Sequence, residues 1–574
     1  MSSSTPMFRR LAPARRPIDF AEFEEPIRAE LFSAERLEQH AQSLAVAQTV
    51  TQDRADERAL VPRVRENGRV LYEAHRLIGN AARQRLAITP AAEWLLDNFH
   101  VVEDQLRDIR EHLPAGYYKR LPKLADGHLR GYPRVYGVAW AIVAHTDSRF
   151  DPDWLIRFVR AYQRVQPLTI GELWAVPISL RIVLVENLRR LAVRIVGSQM
   201  ARQGADKFVD ELLPDAGTRP ADLIDRALRS LGSATLWPAF AVQLVQRLRY
   251  QAAGTTALLE WLHREPATQG ASTDEIVQAQ HAGQAAANLT VRNLITSMRA
   301  IAAFDWRSFF EDVSLVDATL RQHPGYAAMD FTTRDRYRHA IEDLARGSGC
   351  AEIDVAAAAI AKTQSIAKNE ALPSDVRSSR AAASSVGLSP ADSEASGAGT
   401  GRAVAPDPRR QDPGFHLIAA GRAALERELG YRSSLRERCI RACRAHATAV
   451  YLGAILLLTL AMAALPVFAS ITLSATWADL LLLGLLGVLS LLPASDMALA
   501  LTHRIVTKVF GPRPLLRLAL QDGIPASLRT FVVMPTLLGN REEIAEQIER
   551  LEMHFLSNRD GDVYFALLTD WRDA

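Results

Sequence analysis

Two stretches, Phe531-Val532-Val533-Met534-Pro535-Thr536 and Val563-Tyr564-Phe565-Ala566-Leu567-Leu568-Thr569-Asp570, bracket the segment on which the reading of this chain turns. Each is a short run of β-branched and aromatic residues suited to a strand. Between them Asn540 is placed to cap a helix, and Glu543, three residues on, completes a capping box. Ile544, Ile548, Leu551 and Phe555 then recur at helical spacing and make one apolar stripe. Strand, helix, strand predicts a β-α-β unit, with the first strand closed by Pro535-Thr536. Asp570 stands at the carboxyl end of the second strand, the edge of an open α/β sheet where ligands bind.

Asp570 and Asp573 are the sharpest chemical candidates. A strand-end carboxylate can accept hydrogen bonds from a uracil or ribose, or help hold a metal that bridges a diphosphate. The plainer role of such an Asp is to cap a turn. The turn from Pro535 to Asn540 has no glycine-rich dinucleotide fingerprint and no P-loop lysine, which disfavours hydride transfer and P-loop ATP hydrolysis. A nucleotide-sugar site needs neither motif.

Upstream, Ala449 to Ile471 is an uncharged apolar run of about 23 residues, enough to span a hydrocarbon core of ~30 Å at about 1.5 Å per residue. Pro466 lies within it, which a membrane helix tolerates. After a polar turn at Ser474, Thr476 and Asp479, Leu480 to Leu492 opens a second span that runs through Pro493 towards Leu501. Arg432, Arg436, Arg438, Arg441 and Arg444 precede the first span. Arg504, Lys508, Arg513 and Arg517 follow the second, while the turn between has no Lys or Arg. This asymmetry predicts a hairpin with both flanks in the cytoplasm. Asp496, near the cytoplasmic end of the second span, reads as a solvated interfacial group.

Residues 373–413 are dense in Ser, Ala, Gly and Pro and poor in large apolar groups, the composition of a linker. From about Ala21 to about Leu372 the pattern is helical throughout. Trp94, Leu95, Phe99, Val102, Leu106 and Ile109 predict one helix, ended by Pro114 and Gly116. Leu180, Val183, Leu184, Leu188 and Leu191 predict another, and no sustained alternation asks for a sheet.

The bulk properties exclude several classes. A net charge of +3 over 574 residues does not mark a nucleic-acid binder. Three cysteines make no disulfide scaffold, and Cys439 and Cys443 lack the partners of a zinc site. His100, His112, His128 and His145 form no His-x-x-x-His pair with a Glu, and no Gly-x-Ser-x-Gly elbow occurs. The arginines at the N-terminus precede no apolar signal core.

The segment from Asp522 onward resembles the opening of the glycosyltransferase domain of bacterial cyclic β-1,2-glucan synthases. Asp522-Gly523-Ile524-Pro525, Arg529 to Thr536, Asn558-Arg559-Asp560 and Phe565 to Ala574 carry the likeness. Trp94 to Phe99, Leu113 to Tyr118, Leu168 to Trp174, Met329 to Tyr337 and Gly430-Tyr431-Arg432 are similar to the upstream part of that family. The resemblance implies a large, multi-pass protein of the bacterial inner membrane. Such synthases use UDP-glucose and a divalent metal (Mg or Mn) to elongate a β-1,2-glucan, which is closed into rings for the periplasm; a distant phosphorylase-like domain trims the chain. It implies that Pro535, Thr536 and Asp570, with Asp573, line the uridine side of the donor pocket, and that the partners are UDP-glucose, the growing glucan and the lipid bilayer.

The later Asp-x-Asp-type metal ligands, the acceptor-side base, further spans and the phosphorylase part of that family are expected to be missing from this sequence. The expectation is an inactive portion of such an enzyme, with no catalytic residue and no bound metal of its own. The fold expected is mainly α: a disordered basic terminus (1–20), a helical cytoplasmic region (21–372), the linker (373–413), a basic juxtamembrane helix (414–446), two transmembrane helices (447–501), a cytoplasmic connector (502–529) and the first β-α-β unit of an incomplete α/β glycosyltransferase domain (530–574). The rival reading is a non-enzymatic, membrane-anchored helical protein that serves interaction or regulation.

Overall fold

The computed structural model describes residues 24–51, 58–113, 115–212, 238–248, 273–370, 408–471, 477–512, 515–520, 522–558 and 560–571. The chain is mostly helical, 74% helix with few strands, as the sequence pattern requires. It forms two compact units, Met1–Ser314 and Leu315–Ala574, so a boundary falls inside the helical region read as continuous to residue 372.

The first unit contains α1 (Ala34–Ala47), β1 (Val50–Thr51), α2 (Leu60–Arg83), α3 (Pro90–Asp97), α4 (Phe99–His112), α5 (Ala115–Tyr118), β2 (Lys123–Leu124), α6 (Arg134–His145), α7 (Pro152–Gln163), α8 (Ile170–Leu212), α9 (Pro238–Leu248), α10 (Thr273–Ala303) and α11 (Trp306–Val313). The helix predicted through Trp94 and Ile109 is broken into α3 and α4 at Asn98, whose side-chain amide donates back to the Trp94 carbonyl at 2.9 Å. Its apolar face survives the break: Leu95, Phe99, Val102, Leu106 and Ile109 are all buried. A two-residue antiparallel pairing of β1 with β2, beside an isolated bridge from Lys123 to Pro133, departs from the all-helical expectation for this region.

α8 runs through the middle of this unit, against α2, α4, α6, α9 and α10. Leu180, Val183, Leu184, Leu188 and Leu191 are buried, and so are Leu173, Val176, Ile182 and Val185 on its other sides. A helix apolar on nearly every side is stable only when surrounded. Its two fully buried carboxylates, Glu172 and Glu186, are therefore paired. Glu172, at the amino end, takes a bidentate contact from the buried Arg134 (Nε 2.7 Å, Nη2 2.5 Å) and the Thr169 amide at 2.9 Å.

Glu186, with no exposed side-chain surface, accepts from Arg63 (3.0 and 2.6 Å), Asn67 (2.7 Å), Arg189 (3.0 Å) and Arg190 (3.0 Å). Burial alone would raise its pKa, but the Arg63 hydrogen bonds and the charges of Arg189 and Arg63 outweigh burial and hold the carboxyl at about 2 against an ordinary 4.5. A folded pKa below the unfolded one contributes stability that is complete above pH 4.5 and is lost as pH falls towards 2. We expect acid unfolding followed by circular dichroism to show a loss of roughly 3 kcal/mol across that window. Glu186→Gln should flatten this acid limb; an unchanged limb would remove Glu186 as its source.

The second unit begins with α12 (Leu315–Leu320), α13 (Pro324–Ala327), α14 (Phe331–Ser348) and α15 (Glu352–Glu370), and continues beyond residue 407 with a 3-10 turn (Pro408–Gln411), α16 (Pro413–Leu417) and α17 (Arg422–Glu428). Most of the expected linker lies outside the described residues. Within its described end, residues 408–413, Asp412 caps α16 through the Gly414 amide (2.6 Å) and accepts from the Tyr337 hydroxyl of α14 at 2.8 Å. The segments before and after the linker thus pack into one helical module. At its centre the fully buried Arg338 donates to Asp317 through Nε (3.0 Å) and Nη2 (2.6 Å), and Tyr326 donates to the same carboxylate at 2.6 Å. Removing one partner strands the other charge away from water. Asp317→Ala should therefore cost about 3–5 kcal/mol, read as a lowered thermal midpoint and earlier proteolysis within residues 315–430.

α18 (Leu435–Ala445) carries the full capping box of Ser434 and Glu437 and leads into α19 (Ala447–Ile471) and α20 (Trp477–Phe510), which pair as a hairpin. Asp479 falls inside α20 rather than in the turn, whose residues 472–476 lie outside the described set. Two stretches, Ala447–Leu465 and Gly484–Phe510, are long and apolar enough to cross a membrane, and only 6% and 11% of them are buried. A core hairpin of a water-soluble protein would be mostly covered, so the pair points to membrane association. Where the helices touch, the buried residues are small: Ala463, Ala494 and Ala498, with Ser490 donating across to the Ala463 carbonyl at 3.3 Å. Close approach of small side chains is how helices associate when lipid supplies no hydrophobic drive. Tyr451 and His503 bond at 2.6 Å at the basic end of the hairpin.

The module grips both ends of this hairpin. On the incoming side the Arg432 amide donates to the Gly347 carbonyl (3.0 Å), and the Tyr431 ring lies where a Cβ on Gly347 would stand. On the outgoing side the Asp330 amide donates to the Arg517 carbonyl (3.0 Å), the Arg517 amide to Thr333 Oγ1 (2.9 Å), and the Ala519 amide to the Ala328 carbonyl (2.9 Å).

Candidate functional site

β3 (Thr530–Leu538) and β4 (Val563–Trp571) pair directly in parallel and are joined in sequence by α21 (Arg541–Ser557), which gives the β-α-β unit its predicted form. Asn540 caps α21, its side-chain carbonyl accepting from the Glu543 backbone amide at 2.8 Å and its side-chain NH2, in place of the backbone N–H of a full capping box, donating to the Glu543 carboxylate at 3.0 Å. Phe555 of the predicted stripe meets Phe565 edge-on at 6.2 Å, which fixes the helix over one face of the pair.

Both strands extend further than the sequence indicates. β3 does not close at Pro535-Thr536 but continues to Leu538, with Pro535 opposite Leu568, Thr536 opposite Thr569 and Leu537 opposite Asp570. Proline has no N–H to donate, and it is accommodated because β3 has a partner on one side only in the described sheet. The extension separates the expected site residues. Successive residues of a strand point to opposite faces, so Thr536, level with Met534 and Leu538, is half-buried on the helix-covered face. Pro535 and Asp570 share the open face with Leu537. Asp570 stands at the carboxyl edge, as expected. Asp573 lies outside the described residues.

The open face is apolar. Phe531 stacks on Tyr564 at 5.2 Å, and Phe531, Leu537 and Leu568 are each more than 60% exposed. What the sequence pattern did not reveal is how the amino ends of the strands are locked. Ile524 bridges to Gly561 in parallel, its amide donating to the Asp560 carbonyl at 3.3 Å and its carbonyl accepting from the Asp562 amide at 2.7 Å. Gly523 and Gly561 both hold positive φ, +83° and +93°, and a Cβ on Gly523 would come within 2.8 Å of the Asp560 backbone. Arg529 then pairs with Asp562 (Nε 2.9 Å) and lies over the Tyr564 ring. That hydrogen bond draws the Asp562 carboxyl below its usual range. Gly523 is legible only as a member of the motif Asp522 to Pro525, and Gly561 follows directly on the motif Asn558 to Asp560; the fold brings the two together.

Among the described residues no three His, Cys, Asp or Glu side chains cluster closely enough to hold a metal ion. Asp570 alone is not a donor set, so no chemical step is assigned to a metal here. Two of the histidines make structural contacts: His145 stacks on Phe32 at 4.0 Å and bonds to the Glu30 carbonyl, and His112 bonds to the Asp108 carbonyl.

The chain is 35% identical over 517 residues to the cyclic beta-(1,2)-glucan synthase NdvB of Rhizobium meliloti (strain 1021). It is related to the cyclic β-glucan synthases. The match takes in 89% of the chain but 17% of that synthase's length, so the chain corresponds to a minor part of its relative. No family model matches the chain.

Gly561→Ala tests the lock at the amino ends of the strands. Its Cβ would collide with the Ile524 backbone in a conformation already strained for an L-residue. We expect a loss of about 1–3 kcal/mol, seen as proteolysis confined to residues 520–571 with the helical module intact. Equal resistance of variant and parent would show that the bridge does not hold the unit.

Proposed function

We propose that this chain forms the cytoplasmic helical, membrane-hairpin and donor-side portion of a glucosyltransferase that builds cyclic β-1,2-glucan from UDP-glucose. The observation that carries the reading is the 35% identity over 89% of the chain to a protein named for that product. The β-α-β geometry supports it, because Asp570 lies at the sheet edge where nucleotides bind in open α/β folds. In this role Asp570 accepts hydrogen bonds from the uracil or ribose of the donor. Pro535 shapes the same open face, and Thr536 steadies the strand from the helix side.

The topology proposed is a two-span hairpin with both flanks in the cytoplasm, where nucleotide sugars are found. It is supported by the grip of one module on residues 431–432 and 517–519, since a single water-exposed body can hold both ends only if both emerge on one side. The basic flanks agree. The chain by itself is proposed to be inactive. Parallel sheets are stable when both faces are covered, and the apolar face of Phe531, Leu537, Tyr564 and Leu568 is open, as in a sheet that needs further strands and helices to form a working site.

The test is a chimera in which this chain replaces the matching 517 residues of the Rhizobium synthase. Membranes bearing it should convert UDP-[14C]glucose to cyclic glucan, and Asp570→Ala should lower activity and UDP-glucose affinity tenfold or more. Unchanged UDP-glucose affinity in Asp570→Ala would remove that residue from the donor pocket. Glucosyl transfer by the 574-residue chain alone would overturn the proposed inactivity.

A further inference from the structure

A cleft of about 260 Å³ lies between the amino end of α3, the middle of α8 and the first half of α10. Arg194, Ser198 and Arg202 face it from α8 at successive helical turns, and Gln284 and Asn288 face it from α10, one turn apart. Leu191 and Ile195 supply an apolar wall.

Other partly or wholly buried arginines of this unit, Arg63, Arg134, Arg189 and Arg190, each pair with a buried carboxylate. Arg194 and Arg202, both half-buried, make no ion pair or hydrogen bond among the described residues. The nearest carboxylate to act on Arg202 is Asp206, which is engaged elsewhere: it accepts from Gln243 at 2.8 Å and lies 3.6 Å from Arg247. Burial consequently pulls the Arg202 guanidinium below its ordinary pKa, with Asp206 restoring only part. Asn288 Oδ1 is buried without a partner. Half-buried cations and a buried acceptor left unsatisfied each cost free energy that an occupant of the cleft would recover.

We propose that this cleft is a binding site for a phosphate ester with a small hydroxylated body. Guanidinium forks match phosphate oxygens in bidentate geometry. The amino end of α3, where Thr89 and Pro90 line the cleft, adds the positive end of a helix dipole. A carboxylate has two oxygens in one plane, whereas a phosphoryl group directs oxygens towards donors on three separate helices. Asn288 Oδ1 accepts from a hydroxyl of the body, and Gln284 has both donor and acceptor to offer. The ligand is either a soluble sugar phosphate or the headgroup of an anionic phospholipid; the phosphoryl chemistry is shared.

The whole chain, in nanodiscs of zwitterionic lipid, is titrated calorimetrically with glucose 6-phosphate, inorganic phosphate, glucose and glucuronate. Saturable binding of glucose 6-phosphate, absent for glucose and weakened at least tenfold in Arg194→Gln/Arg202→Gln, supports a soluble ester. Co-purification of phosphatidylglycerol, lost in the same variant by native mass spectrometry, supports the headgroup. If that variant loses helicity, Gly283→Leu serves instead: its side chain enters beside Arg194, where a Cβ meets only Nη2 at 3.8 Å, and it should abolish binding. Glucuronate binding as tightly as glucose 6-phosphate overturns the phosphoryl assignment. Binding of neither phosphate nor lipid, or equal binding by parent and variants, overturns the site.

Discussion

The backbone hydrogen bonds that join Arg517 and Ala519 to the turn before α14 are the constraint on which the second unit depends. They return the chain, after the apolar hairpin, to the same module that released it at Tyr431 and Arg432. A backbone segment that docks in this way exchanges bonds to water for bonds to fixed partners. Docking also fixes where the next element starts, and that element is the β-α-β unit. The strands β3 and β4 are therefore tied to the same body that anchors the helices α19 and α20.

That body is built around charge. Arg338 and Asp317 are wholly buried, and the carboxylate also accepts from the hydroxyl of Tyr326 and pairs with the guanidinium of Arg321. The same solution recurs in the first unit, where Glu186 collects three arginines and Glu172 holds Arg134. Buried ion pairs do not of themselves add much stability, but they reject arrangements that would leave one partner bare. In helices as uniformly apolar as α6 and α8, which could slide past one another at small cost, such a pair is a means of setting register.

The likeness to the glucan synthases gains physical content from these contacts. Several motifs that carry it make contacts that hold the scaffold together. Glu172 in Leu168 to Trp174 clasps Arg134, Tyr337 in Met329 to Tyr337 reaches Asp412, and Gly430-Tyr431-Arg432 presses against Gly347. They are joints of the scaffold. Asp570, by contrast, lies at a strand edge, and its proposed role in binding rests on that position.

Much of this was legible in the sequence, because local rules act on neighbouring residues. Periodicity marked α8 and the stripe of α21, Asn540 and Glu543 marked a cap, and the apolar runs marked the hairpin. The sequence could not show that Asn98 breaks a continuous apolar stripe, since either one helix or two buries the same residues. It could not show that β3 passes through Pro535, because that depends on which strand edge is paired. The faces on which Pro535, Thr536 and Asp570 stand are set by strand register, and the meeting of Gly523 with Gly561 is set by strand pairing. The sequence alone determined which segments are helices, strands and apolar spans, through spacing, capping and composition. Only the tertiary structure decided which charges are paired, which face each site residue occupies and which module holds the hairpin, because those depend on contacts between residues far apart in the chain.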